Sequence, residues 1–533
     1  MCLASLVFVE AKQKPNIILI VADDLGYSDL GYYGSEISTP HLDGLARQGV
    51  VFQQFYNASV GAPSRASILT GLYPHQAGVG YFFGSLGAAP YQGYLNNSSL
   101  TLGEVLRQAG YTTLHAGEWG VSHGGRSTAL ERGFDHSFLA ENSGSYFDEN
   151  EVEYQLDGQS FKLDDDSYYL TDVITDQAIS FIHDKQSAKS KKPFFLYLSY
   201  TAPHWPLHAP TDDVIKYHGK YNSGYEQLRI KRLKGLQKAG LVSNDYVLPA
   251  KDNDVYDWAK VSYNIKEILL KRQEVYAAQV DRLDQNIGRL LQQLKIEGVS
   301  DNTVIIFLSD NGAPSEDIVR WHRGAIRNTS TVGTSGSFES LGKEWAYLSN
   351  SPFRGYKDQL YEGGISSPFI VWGIDGQLQG KVVKGTGHVV DIAPTIYGLA
   401  GAKYPARLQG RQTTPLSGVS LLSVITGKTD VAERPHPLFW EHAGNRAVRQ
   451  GKWKLESHYP NYDWYLYDIE SDRGETHDLS NKQTAVVNDL VVKYYQWAKQ
   501  NGVAVFDDIK AAEPDTLFQL RRSRTKHFRK NYR

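Results

Sequence analysis

Ile17-Ile18-Leu19-Ile20-Val21-Ala22-Asp23-Asp24 is an unbroken apolar run that ends abruptly in two carboxylates. A strand with one wet face alternates polar and apolar residues. A continuous β-branched run instead predicts a strand covered on both faces, as in a parallel sheet. Three further runs share the pattern: Thr112 to Ala116 leads into Gly117-Glu118-Trp119, Phe194 to Tyr200 into Thr201-Ala202-Pro203-His204, and Val304 to Ser309 into Asp310-Asn311-Gly312. Helical signals lie between them. Thr39-Pro40 reads as an N-cap followed by proline at the first helical position, and Val280, Leu283, Ile287, Leu290, Leu291 and Leu294 recur at helical spacing. Alternating strands and helices predict an α/β fold with a mostly parallel sheet flanked by helices. In such sheets ligands bind beyond the carboxyl ends of the strands, so the polar groups that close the four runs should converge.

Working outward, residues 325–350 are rich in Ser, Thr and Gly and read as a long loop near that crevice. Beyond Pro405 the apolar stretches shorten, which predicts a smaller C-terminal α+β subdomain. The expected organisation is a segment 1–13, a large α/β domain over 14–404, the subdomain over 405–510 and a basic tail over 511–533. Residues 2–9 are apolar and read as a truncated signal segment, pointing to a secreted or periplasmic protein; an edge strand is the alternative. The chain has 533 residues and a net charge of −3, with no nucleic-acid signature in its bulk composition and no stretch long enough to span a membrane. From Arg521 to Arg533 there are seven Lys or Arg and no acid, a solvated end open to opportunistic contact with anions. The single cysteine is Cys2, which excludes an intrachain disulfide, a cysteine-ligated zinc site and an internal cysteine nucleophile.

Asp23, Asp24, Asp310 and Asn311 put three carboxylates and an amide oxygen on two strand ends. Acids packed together repel one another unless a cation neutralises them. An all-oxygen set favours a hard ion, Ca²⁺ ahead of Mg²⁺. Turn and cap positions also favour Asp and Asn, but two such pairs on two similar strand ends favour a metal site.

The stretch Gly61-Ala62-Pro63-Ser64-Arg65, followed by Leu69-Thr70-Gly71, resembles the sulfatase signature, in which Cys or Ser precedes x-Pro-Ser-Arg and Leu-Thr-Gly follows. Ordered matches continue through Asp23-Asp24-Leu25-Gly26-Tyr27, Ala202-Pro203-His204, Asp310-Asn311-Gly312, Tyr356-Lys357, Tyr361-Glu362-Gly363-Gly364 and Asp391-Ile392-Ala393-Pro394-Thr395. The resemblance spans about residues 14 to 505. It implies the alkaline-phosphatase-like sulfatase fold, a bound Ca²⁺, and hydrolysis of a sulfate ester carried by a small molecule or a polysaccharide. It also implies that Arg65 orients the nucleophile and that His204 and Lys357 contact the ester.

Two motifs depart from the family pattern. The nucleophile of these enzymes is a formylglycine made from the signature cysteine, and Gly61 has no side chain to oxidise or to attack with. The family's Gly-Lys-Trp-His becomes Gly117-Glu118-Trp119-Gly120, so a cation becomes an anion and a histidine disappears. At 4 Å and an effective dielectric near 20, each unit-charge pair is worth about 4 kcal/mol. The sequence therefore predicts a sulfatase scaffold without formylglycine-dependent turnover, with Glu118 expected to pair with Arg65 or Lys357 where sulfate would sit. Two alternatives stand beside it: a non-catalytic relative that binds a sulfated glycan or a protein, and an ester hydrolase that activates a metal-bound water directly.

Overall fold

The computed structural model describes residues 13–512 except 83, 142–143, 148–152, 164–167, 189, 319–330, 375–379, 430 and 433. The opening run forms strand β1, Asn16–Ala22, with all seven residues buried. Its side chains divide strictly: Ile18, Ile20 and Ala22 enter one hydrophobic core, and Ile17, Leu19 and Val21 enter another. This two-sided burial is the physical reason the run shows no polar alternation.

In chain order there follow β2 (Val50–Tyr56), β3 (Thr112–Gly117), β4 (His136–Glu141), β5 (Glu153–Leu156), β6 (Gln159–Ser160), β7 (Phe194–Ser199), β8 (Thr303–Ser309), β9 (Phe369–Trp372) and β10 (Lys381–His388). A small ribbon, β11 (Arg407–Leu408) with β12 (Arg411–Gln412), precedes β13 (Val431–Ala432). Among the described residues the large sheet has eleven strands in the order β13-β10-β2-β9-β8-β1-β7-β3-β4-β5-β6. The four predicted runs are the adjacent strands β8, β1, β7 and β3, parallel throughout. Their carboxyl ends therefore share one edge. Strand β9 is antiparallel to both neighbours, and β4, β5 and β6 close the far side as an antiparallel meander.

Helices cover both faces. The predicted amphipathic segment belongs to a 34-residue helix, Tyr263–Ile296, packed with Pro40–Gln48 and Leu170–Ser187 on one face. Gly61–Thr70, Leu102–Gln108 and Ile392–Ala400 pack on the other. The stretch expected to be a loop over 325–350 contains the helix Lys343–Ser349, because Trp345, Ala346 and Leu348 bury an apolar face that the surrounding Ser and Gly obscure in the sequence; residues 325–330 lie outside the described ones.

The C-terminal part forms a four-stranded antiparallel sheet, β14 (Leu438–His442), β15 (Asn445–Gln450), β16 (Trp453–Ser457) and β17 (Trp464–Asp468), backed by the helix Thr484–Gln500. Their shared core includes Tyr73 and Val390 from the large unit. Before this sheet begins, β13 still pairs with β10, so the chain returns to the large sheet beyond Pro405. The signal-like residues 2–9 and the basic stretch Arg521–Arg533 lie outside the described residues. No helix among the described residues is long and apolar enough to cross a membrane.

Candidate active site

The ends of β1 and β8 are locked in register by backbone and side-chain hydrogen bonds. Asp310 N–H donates to Ala22 O at 3.1 Å, and Leu25 N–H to Ser309 Oγ at 3.0 Å. The chain turns sharply at Asp24, whose φ of 69° lies in the left-handed region that a short polar side chain tolerates. Its N–H donates to Asp310 Oδ1 at 3.3 Å. At β3 the turn is made by Gly117, with φ 115°: a Cβ there would lie 1.9 Å from Ser199 O, so only glycine lets β3 pass β7 and present Glu118.

Arg65 projects from the helix Gly61–Thr70 into the middle of these strand ends and is fully buried. Its Nε donates to Asp310 Oδ2 at 3.1 Å and its Nη1 to Ser199 Oγ. Its Nη2 faces Asp310 at 3.0 Å, Glu118 at 3.2 Å and Asp23 at 3.4 Å. The expected pairing of Glu118 is thus present, with Arg65 rather than Lys357. Lys357 reaches Asp24 instead, Nζ to Oδ1 at 2.8 Å. His204 donates from Nδ1 to Trp205 O at 2.6 Å, since a carbonyl can only accept, and its Nε2 stands 3.6 Å from Asp24. Ser199, which closes the apolar run of β7, was not singled out in the sequence. A hydroxyl residue ending a buried strand beside a site was its only signal.

Crowding shows in the protonation equilibria. Burial, with the carboxylates of Asp310, Glu118 and Asp24, pushes the Asp23 carboxyl well above the usual range despite Arg65. Burial lifts Asp310 to about 6 against the pull of Arg65, with Asp24 and Glu118 adding to the rise. Burial also opposes ionisation of Asp24 and Glu118, but Lys357 and His204 hold Asp24 low, and Arg65 does the same for Glu118. His115, on β3 just before the Gly117 turn, does not face the crevice carboxylates through a free ring. It is buried, bonded to Ser137 Oγ at 2.9 Å and pushed down to about 3 by desolvation.

A divalent cation fits this donor set. Ligand atoms of Asp23, Asp24 and His204 lie within 4.8 Å of one another; His204 is not among the expected ligands, and Asp310, which is, is not in that group. Asn311 gives its amide N–H to Asp24 Oδ1 at 2.5 Å and to Gly312 O at 3.0 Å. That leaves its buried Oδ1 without a hydrogen-bond partner, an orphaned acceptor of the kind a cation satisfies. Gly61 faces the same point: a Cβ built on it would lie 3.1 Å from Asp310 Oδ2 and 3.9 Å from both Arg65 Nε and Asn311 Oδ1. Gly120, by contrast, has φ 67°, and a Cβ there would meet Arg65 Cδ at 2.9 Å. A side chain at Gly120 would be strained and would displace the arginine.

The parallel strand ends bring oxygen donors, a buried arginine and a helix N-terminus to one point, the edge at which α/β sheets bind ligands. The sulfatase family model matches residues 15–402, and the chain belongs to the sulfatase family. Hydrolysis of sulfate esters is the activity of that family. An uncharacterized sulfatase of Schizosaccharomyces pombe is 31% identical over 95% of this chain and 97% of its own length. The arylsulfatase of Klebsiella aerogenes is 34% identical over 80% of this chain and 96% of its own. Among solved structures, Ps i-CgsB superposes with a TM-score of 0.68 at 26% identity, covering 92% of this chain and 94% of that one. A second crystal structure of Ps i-CgsB holds k-i-k-neocarrahexaose.

Proposed function

We propose that this chain is a sulfatase-family protein that holds a divalent cation, Ca²⁺ in preference to Mg²⁺, and engages glycans without formylglycine-dependent turnover of sulfate esters. One observation carries the reading. The Cβ direction of Gly61 points at Asp310, Arg65 and Asn311, where a nucleophile would stand, and glycine puts nothing there. Asp23, Asp24, Asp310 and Asn311 would hold the cation, with His204 at its margin. When bound, the cation supplies charge neutralisation and polarisation of a coordinated oxygen.

The other residues have roles that do not depend on turnover. Arg65 cross-links three carboxylates and fixes the helix against the strand ends. Lys357 holds Asp24, and Trp205 O holds the His204 ring in one tautomer. With no side chain at Gly61, the covalent route has no group to form the new bond to sulfur. A glycan ligand is supported by the saccharide that Ps i-CgsB binds. Secretion or a periplasmic location suits such a ligand and rests on the apolar residues 2–9.

Assay of the purified full chain with an aryl sulfate and added Ca²⁺ is expected to give no turnover above the buffer rate. Robust turnover would refute the reading. Gly61→Cys alone is expected not to restore it even when co-expressed with a formylglycine-generating enzyme, because Glu118 and Gly120 remain. Recovery by that single change would show that the second motif matters little.

A further inference from the structure

The solvent-facing side of the crevice is charged the wrong way for a sulfate. Arg65 has no exposed surface, and Nε, Nη1 and Nη2 all face acceptors of the protein. The groups that solvent reaches are Glu118, His204 and Lys357, whose side chains are 24%, 20% and 11% exposed. Lys357 is already engaged by Asp24, and Glu316, which accepts from Trp205 Nε1 at 2.9 Å, adds another carboxylate on that side. An incoming anion meets Glu118 before it meets the guanidinium, whose Nη2, without a hydrogen bond of its own, stands 3.0–3.4 Å from the carboxylates of Asp310, Glu118 and Asp23.

The charge balance gives the same answer. Were Asp23, Asp24, Glu118 and Asp310 all ionised, they would exceed Arg65 and Lys357 by two charges, which one divalent cation would neutralise, and Glu316 adds a further carboxylate beside Lys357. A sulfate would add negative charge with nothing left to balance it. A hydroxyl adds none. It donates to a carboxylate and offers its lone pairs to a hard cation, the two kinds of partner this centre has. Gly61 puts no side chain over Asp310, its Cβ position falling 3.1 Å from Asp310 Oδ2 and 3.9 Å from the next atoms, whereas Gly120 lies tight against Arg65, 2.9 Å from Cβ position to Cδ.

We infer that Glu118 sets the ligand class of the centre: the saccharide unit entering the crevice presents an unsulfated hydroxyl, hydrogen-bonded to the Glu118 carboxylate, and sulfate is excluded. This rests on the cation-holding, non-hydrolytic reading above and names what such a site takes. Glu118 is a specificity-determining residue that substitutes for the anion on Arg65.

The test uses the Ca²⁺-loaded full chain and calorimetry with two kinds of probe. Inorganic sulfate is expected to show no saturable binding to the wild type and to bind Glu118→Lys and the near-isosteric Glu118→Gln at least about tenfold more tightly. A carrageenan hexasaccharide and its chemically desulfated counterpart form the second pair. The desulfated form is expected to bind the wild type about tenfold more tightly, with the preference reversed in Glu118→Lys. Equal sulfate affinity in wild type and both variants overturns the inference. So does wild-type preference for the sulfated hexasaccharide, or failure of the desulfated one to bind. Aryl sulfate turnover by the same preparation sinks the underlying reading; sulfate binding without turnover sinks only this inference.

Discussion

Behind the four-stranded sheet, the ammonium of Lys454 is fully buried against three glutamates, Glu475 at 2.5 Å, Glu456 at 2.7 Å and Glu362 at 3.2 Å. Arg473 holds Glu362 at 2.7 Å, and Arg449 donates to the Tyr56 hydroxyl, which itself donates to Glu362 at 2.8 Å. Three acids face three cations. In the crevice, four acids face two. Burial opposes ionisation in both places: Lys454, Arg473 and Arg449 bring Glu362 down to about 2 while Glu475 stays well above the usual range, and in the crevice Lys357 and His204 hold Asp24 low while Asp310 is left raised at about 6. The comparison separates a network whose acids and cations are equal in number from one with two acids in excess, the excess that the proposed cation would neutralise. The first joins the C-terminal sheet to the large unit; the second lies at the carboxyl ends of the parallel strands.

The sharpest way to break this contrast is Lys454→Met. Removing one partner of a buried network leaves uncompensated charge and is expected to cost about 3–5 kcal/mol. The measurement is the thermal midpoint of the full chain, and the loss should be the same in Ca²⁺ and in EDTA. A melt like the wild type would mean the glutamates do not depend on that ammonium.

Acid titration probes the same network. Because the folded-state pKa of Glu362 is depressed, its stabilisation is complete above about 4.5 and is lost as pH falls towards about 2, up to about 3 kcal/mol. Glu362→Gln is expected to flatten that acid limb in denaturant melts between pH 5 and 2.

Chelation tests the crevice. With free Ca²⁺ about a hundredfold above its dissociation constant, adding EDTA should remove about 2.7 kcal/mol of stability. Asp24→Asn should lose most of that response, and a wild-type melt indifferent to EDTA and Ca²⁺ would contradict the oxygen cluster as a cation site. The smallest effect is expected from Gly120→Ala. Its left-handed backbone costs a residue with a Cβ about 1–2 kcal/mol. The accompanying shift of Arg65 should appear as weaker Ca²⁺ binding by calorimetry, which a purely local strain would leave unchanged.

Much of the fold was legible because β1, β3, β7 and β8 are buried on both faces, and such strands are written as continuous apolar runs. The residues that close them were legible as a site for the same reason: a polar group directly after a buried strand has to emerge at the sheet edge. The antiparallel β9, the return of β13 and the helix Lys343–Ser349 were hidden, because long-range pairing and partners on distant segments decide them. The Lys454 network was invisible as well. Lys454, Glu456 and Glu475 read as ordinary charged residues, and only β16 packing against Glu362 takes them out of water.

The sequence by itself determined the sulfatase scaffold and the strand-end donors, and it put glycine, which has no side chain to supply chemistry, at position 61. The tertiary structure decided that Glu118 pairs with Arg65 rather than Lys357, that Gly120 sits where a side chain would collide with that arginine, and that one buried charge cluster is balanced while the other is not. Those outcomes depend on distances between residues far apart in the chain, and electrostatic energy depends on distance and burial rather than on residue type alone.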